Sequence, residues 1–175
     1  MATDAEYLTS ELEIAAWSAS VQRSNVYADG VDSSRSTAKT FRRAVVDYIR
    51  VDLLPLYKKV KIAERVHCDN IDKLIRFAEV TGGSLLGKGG YKYGISQKLL
   101  NLTLKYYWCR DLCKEPPHCP VDRVVINKTA CKGTKWTTIA TRTEYLRIIE
   151  RIRERADKEK LSIARWELKH YKRRW

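Results

Sequence analysis

The sequence predicts an all-α fold, and three observations predict it. Apolar residues recur at helical spacing along most of the chain, no alternating polar and apolar run of convincing strand length occurs, and the densest glycine and polar clusters fall between the periodic segments. Each element can be justified in turn.

Ala5 to Arg23 places Leu8, Leu12, Ala15, Ala16 and Ala19 at helical spacing, and Trp17 and Val21 widen the apolar face. Asn25 to Lys39 clusters Asn, Asp, Gly, Ser and Thr and reads as a loop. Phe41, Val45, Tyr48, Ile49 and Leu53 restore the helical period until Pro55. Asp69 or Asn70 is expected to cap a helix carrying Ile71, Leu74, Ile75 and Ala78, which stops at Gly82 and Gly83. Residues 82 to 94 then hold six of the eight glycines, a density that marks a loop with close backbone approach.

A helix from about Ile95 to Trp108 follows, and Glu115, Pro116 and Pro117 enforce an extended connection before Pro120. Asp122 is placed to open a helix from Arg123 to about Lys128. Residues 129 to 141 read as loop, and basic helices from Thr143 to Ala156 and Ser162 to Tyr171 finish the chain. The first helical segment is too short to fold alone. The expected organisation is therefore a single helical domain over 1–175, with a glycine-rich, hairpin-like loop at 82–94 and basic C-terminal helices over 143–175.

The 34 Lys and Arg outnumber the 21 Asp and Glu, a formal charge of +13 that suits a phosphate polyanion. Residues 1–35 hold six acidic and two basic side chains, whereas residues 141–175 hold twelve basic and six acidic. The heaviest basic concentration is Arg147, Arg151, Arg155, Lys158 and Lys160 with Lys172, Arg173 and Arg174, although Glu150, Glu154 and Glu159 offer local partners. No secretory signal, lipidation motif or apolar run of membrane-spanning length stands out, so a cytoplasmic protein is expected, nucleoid-associated if prokaryotic, with no membrane partner.

Cys68, Cys109, Cys113, Cys119 and Cys131 form an odd set, which fits reduced thiols. Cys109, Cys113, His118 and Cys119 lie close in sequence but lack paired zinc-ligand spacing, so core thiols are expected and no metal is assigned. Gly82, Gly87 and Lys88 match most of a phosphate-binding loop, but Gly89 stands where the magnesium-binding hydroxyl belongs and the preceding segment reads as helix. A nucleotide-binding loop is therefore rejected.

The segment from Lys98 to Trp108 carries Lys98, Asn101 and Lys105 at i, i+3 and i+7, with leucines over the other faces. A polar line on an apolar helix can border solvent. It can also border a cleft, where partial burial lowers a lysine pKa and readies its lone pair for attack. Downstream, Cys119, Pro120, Val121 and Asp122 place a carboxylate at a helix start, where capping alone explains an aspartate and also holds it rigid.

Lys98, Asn101 and Lys105 on an apolar helix, with Pro120, Val121, Asp122, Arg123 and Val124 after it, resemble the helix-hairpin-helix DNA glycosylases, especially the 8-oxoguanine branch and its divergent archaeal form. The resemblance covers about residues 82–128. In that family the hairpin sits immediately before the lysine, whereas here the glycine run precedes Lys98 by several residues.

The resemblance implies a bifunctional glycosylase and AP lyase that removes an oxidised purine from double-stranded DNA, with Lys98 as nucleophile and Asp122 as the catalytic carboxylate. It implies phosphate contacts from Gly87, Lys88, Gly89, Gly90 and Lys92. Lys105 is a further DNA-binding candidate on the lysine helix, and Trp166 is the aromatic expected to stack on the extruded base. No cofactor and no obligate protein partner are expected. The alternative is a non-catalytic helical DNA-binding or regulatory protein. An RNA-binding reading would use Tyr91, Tyr93, Tyr106 and Tyr107 as stacking surfaces.

Overall fold

Helix α1 (Asp4–Val21) begins where Thr3 and Glu6 satisfy each other's backbone amides in a capping box. It is one of the helices of a computed structural model that describes residues 3–22 and 24–171, and the described chain is all-α. Arg23, Lys172, Arg173 and Arg174 lie outside the described residues.

The next helix starts earlier than its apolar residues suggest. Helix α2 (Ser36–Tyr48) takes in the end of the polar stretch, buries Phe41 and Val45, and runs through a π-helical turn (Ile49–Leu53) into α3 (Leu54–Lys59). Pro55 does not stop the chain. It follows the π-helical turn, where Leu54 N–H already reaches back five residues to Ile49 O, so the wider local winding coincides with the proline and the chain stays helical.

Helix α4 (Glu64–Gly82) also begins before the expected cap. Asp69 and Asn70 are interior to it: Asp69 pairs with Arg142, and the buried Asn70 donates to the Tyr57 hydroxyl at 3.2 Å. The helix ends where the glycines predict, with Gly83 at φ 46°, a conformation that glycine adopts without a Cβ penalty. A short 3₁₀ turn (Gly83–Leu85) leads to one antiparallel bridge between Tyr27 and Leu86, flanked by Ala28 N–H to Leu85 O at 3.0 Å and Gly87 N–H to Val26 O at 2.9 Å.

Helix α5 (Tyr93–Trp108) is the centre of the molecule. Ile95, Leu99, Leu100 and Leu104 are fully buried, and α5 packs on α1, on α4, on a 3₁₀ turn (Trp136–Thr138) and on α7 (Arg142–Lys158). Losing one such leucine to alanine costs about 2–5 kcal/mol. Short α6 (Arg123–Ile126) follows the proline-rich connection, α7 starts with a Thr141 and Glu144 capping box, and Ser162 caps α8 (Ile163–His170). A single cluster of buried residues joins side chains from α1 through α8. No helix among the described residues is long and apolar enough to cross a membrane.

Candidate active site

The site is assembled on α5, and Gly94 shows why the local sequence is needed. A Cβ at Gly94 would collide with the Trp136 carbonyl oxygen, and the Gly94 N–H donates to Ile139 O at 3.0 Å. Glycine lets the Trp136–Thr138 turn lie against the start of the helix. That approach brings the Trp136 ring to 4.0 Å from the Lys98 Nζ.

Lys98 is 9% exposed, and its Nζ donates to Ala19 O at 2.7 Å. Ala19 lies in the last turn of α1, where backbone carbonyls lack helical partners and attract a cation. The amine therefore rests between a carbonyl and an indole face. Burial pulls its pKa below the ordinary lysine value, and the nearby Asp122 carboxylate opposes that shift.

Asp122 is the N-cap of α6, as its place in the sequence predicts. Its Oδ1 accepts from the Val124 and Val125 amides at 2.8 and 3.0 Å, which leaves Oδ2 outside the cap bonds. Lys98 and Asp122 line one cavity of about 200 Å³ together with Lys105, Glu167, Tyr106 and Tyr171. The helix that supplies the amine and the turn that supplies the carboxylate thus open on a common space.

What fixes them relative to each other is Gln97, which sequence reasoning overlooked. Its side chain is fully buried, donates to Val121 O at 2.8 Å and to Gly94 O at 2.9 Å, and accepts from Val121 N–H at 3.1 Å. Gln97 precedes Lys98, and Val121 precedes Asp122. One amide side chain therefore ties the two chain segments together next to both candidate groups. A lone buried glutamine carries no spacing signal, because its partner is a backbone 24 residues away.

Comparison with protein-family models, with curated proteins and with solved structures gives no match to this chain.

Several expected site residues sit elsewhere. Asn101 is not on the cavity: it is fully buried and donates to the Tyr145 hydroxyl at 3.0 Å. The cavity-facing positions of α5 are Lys98, Leu102, Lys105 and Tyr106, so the exposed line follows the i+4 side of the helix and Asn101 falls on its shoulder. Lys105 does reach the cavity, but its Nζ contacts both Glu167 oxygens at 2.7 and 2.9 Å and lies 4.6 Å from the Tyr171 ring centre. An amine already paired with a carboxylate that is 2% exposed has less charge to offer a phosphate.

Trp166 is also displaced from its expected place. It is 4% exposed, its indole N–H donates to Glu159 at 3.0 Å, and it is absent from the cavity lining; Trp136, the ring against the amine, is also buried and off the lining, so the aromatic side chains on the cavity are Tyr106 and Tyr171. Tyr91, Tyr93 and Tyr107 are buried and present no stacking surface. Residues 87–90 form a turn closed by Gly90 N–H to Gly87 O at 2.9 Å, and Lys88 is exposed there. Gly87, Lys88, Gly89, Gly90 and Lys92 lie off the Lys98 cavity, and α5 runs more than one turn from Tyr93 before it reaches the lysine.

The cysteine and histidine cluster is dispersed: Cys109 is exposed, whereas Cys113 and Cys119 are buried. His118 is buried between the Tyr145 hydroxyl and Glu64, each at 2.9 Å. Among the described residues no group of three or more His, Cys, Asp or Glu is arranged to hold a metal ion.

Proposed function

We propose that the protein is a lysine-dependent DNA glycosylase and AP lyase that removes an oxidised purine from duplex DNA. The observation that carries the reading is the Lys98 amine, nearly buried and depressed in pKa, lining the same cavity as the Asp122 carboxylate. An amine in that setting gives up its proton more readily than a solvated lysine, which is what a lysine nucleophile needs.

In this reading the target nucleotide leaves the base stack, because its reacting carbon is inaccessible within a duplex. Lys98 turns from the Ala19 carbonyl, and its lone pair attacks C1′. The bond between C1′ and the base breaks, and the base leaves with the bonding electron pair and gains a proton. Asp122 stabilises the positive charge that develops on the sugar and accepts a proton from the attacking amine. Ring opening gives a Schiff base between Lys98 and C1′; loss of a C2′ proton then expels the 3′ phosphate, and water releases the lysine. Tyr106 and Tyr171, which line the cavity, offer aromatic surface to the entering base, while Trp136 backs the amine. The turn at 87–90 would hold a DNA phosphate on the Lys88 and Gly89 amides, which lie outside its internal bonds.

The test is release of free base from a duplex carrying a single 8-oxoguanine, followed by chromatography and strand analysis. Wild type is expected to liberate the base and cleave the strand, while Lys98→Ala does neither. Equal base release by Lys98→Ala removes the lysine from the chemistry.

A further inference from the structure

The segment that links Asp122 to the Trp136 turn carries unspent positive charge. Residues 123–141 contain Arg123, Lys128, Lys132 and Lys135 and no acidic residue. All four side chains are exposed, and none forms an ion pair among the described residues. The more basic C-terminal helices are partly paired. Arg142 pairs with Asp69 and Asp72, Arg151 with Glu154, Arg153 with Glu64 and Glu150, Arg165 with Glu115, and Lys169 with Glu159. Arg147, Arg155, Lys158 and Lys160 have no ion pair among the described residues, so what sets residues 123–141 apart is their place between Asp122 and Trp136 and their lack of any acidic residue.

The segment is also pinned at both ends to the candidate site. Asp122 lines the cavity and Trp136 covers the Lys98 amine, so both ends of the cationic segment lie at the site. Between them the exposed residues are small or polar: Asn127, Ala130, Gly133 and Thr134. An apolar anchor for a membrane or a protein hot spot is missing from that set, whereas cations on small, polar chain suit a phosphate backbone.

We propose that Arg123, Lys128, Lys132 and Lys135 form the face that grips the phosphates of duplex DNA beside the cavity. The inference rests on the reading that the cavity receives an extruded nucleotide. Phosphate contacts of this kind position the duplex and carry no sequence preference.

The experiment measures binding of full-length protein to a fluorescent duplex containing a tetrahydrofuran abasic analogue, across a salt series. Replacing all four cations with alanine is expected to lower the slope of log affinity against log salt by about 3.6, since each phosphate contact contributes about 0.9. Affinity at moderate salt should fall about 100-fold or more. An Arg147/Arg151/Arg155→Ala variant, altered only on exposed positions of α7, should change the slope by less than about 1. Thermal unfolding confirms that both variants fold, and single Lys132→Glu substitution gives an independent reading with an expected loss of about tenfold.

An unchanged slope in the four-cation variant overturns the proposal, as does a larger loss in the α7 variant. Tighter, cation-dependent binding to single-stranded RNA overturns the assignment of duplex DNA. Lys98→Ala separates the two claims: it should bind with the wild-type slope. Cation-dependent binding by a wild type that releases no base would leave this face standing and remove the glycosylase reading.

Discussion

Replacing Gln97 with methionine keeps the side chain's length and apolar volume but removes every bond that holds Val121. The Val121 N–H and C=O then lose their side-chain partner at 3.1 and 2.8 Å inside a residue that is fully buried. A buried backbone group left without a partner costs about 1–3 kcal/mol, so two cost about 4 kcal/mol at the middle of the range. The Gly94 carbonyl, also a Gln97 partner, lies in the first turn of α5 and can accept a helical amide, so it adds little. In a chain of this size that loss lowers the Tm by roughly 8–16 °C. Urea denaturation followed by circular dichroism gives the free energy directly, and the m-value shows whether the compact state has changed. A Gln97→Met protein within about 0.5 kcal/mol of wild type would refute the reasoning, since ordinary surface substitutions do no more than that. Base release should fall about 100-fold in the fraction that stays folded, with kcat affected more than KM, because a displacement of about 1 Å at a reacting group costs that much.

Three further predictions follow from the site and the core. Lys105→Met leaves the buried Glu167 carboxylate without its cation, and a loss of about 3–5 kcal/mol at neutral pH is expected. Burial already raises the Glu167 pKa, so the folded form holds its proton more tightly than the unfolded chain, and the variant should regain stability as pH falls toward 4.5. A pH-independent loss in urea titrations would contradict this. Lys98→Met should be at least as stable as wild type at pH 7, because it removes a desolvated ammonium; the gap should narrow as pH rises toward 10.5, where the unfolded lysine also loses its proton. A loss above about 2 kcal/mol would show that the Ala19 bond and the Trp136 face more than offset burial. His67 and His118 are buried with pKa values below 6.5, chiefly through desolvation, so the unfolded chain binds the extra protons and stability should drop as pH falls below 6.5. Each histidine contributes up to about 1.4 kcal/mol per pH unit, and His67→Phe should lower that slope by one proton in thermal scans from pH 7 to 5.

The helical class was legible because much of the core of this protein is made from periodic apolar faces, and α2 and α7 show their period plainly. Asp122 was legible for a local reason: a capping aspartate needs only the residues beside it, and its bonds to Val124 and Val125 are short-range. The early starts of α2 and α4 were hidden because Arg35 and Ala63, their cap residues, make no side-chain cap bond. Asp69 looked like a cap, but its partner is Arg142, far along the chain.

The same distinction governs the site. Lys98 stood out as a charge on an apolar helix, yet what surrounds its amine is the Ala19 carbonyl and the Trp136 ring, brought there by packing. Trp166 and Lys105 were drawn to DNA by residue type, and tertiary bonds to Glu159 and Glu167 engage them within the fold. Charge counting pointed to the C-terminal helices for the same reason. Only the fold distinguishes a cation that faces a carboxylate from one that faces solvent.

The central claim is that the Lys98 amine forms a covalent bond to the sugar of the target nucleotide. Incubating full-length protein with an 8-oxoguanine duplex, then reducing with sodium borohydride, converts that Schiff base into a stable amine that mass spectrometry can map. A single adduct on the peptide containing Lys98, lost in Lys98→Ala and weakened in Asp122→Asn, is the predicted result. An adduct on another lysine, an undiminished adduct in Lys98→Ala, or no adduct with any damaged base would contradict the account.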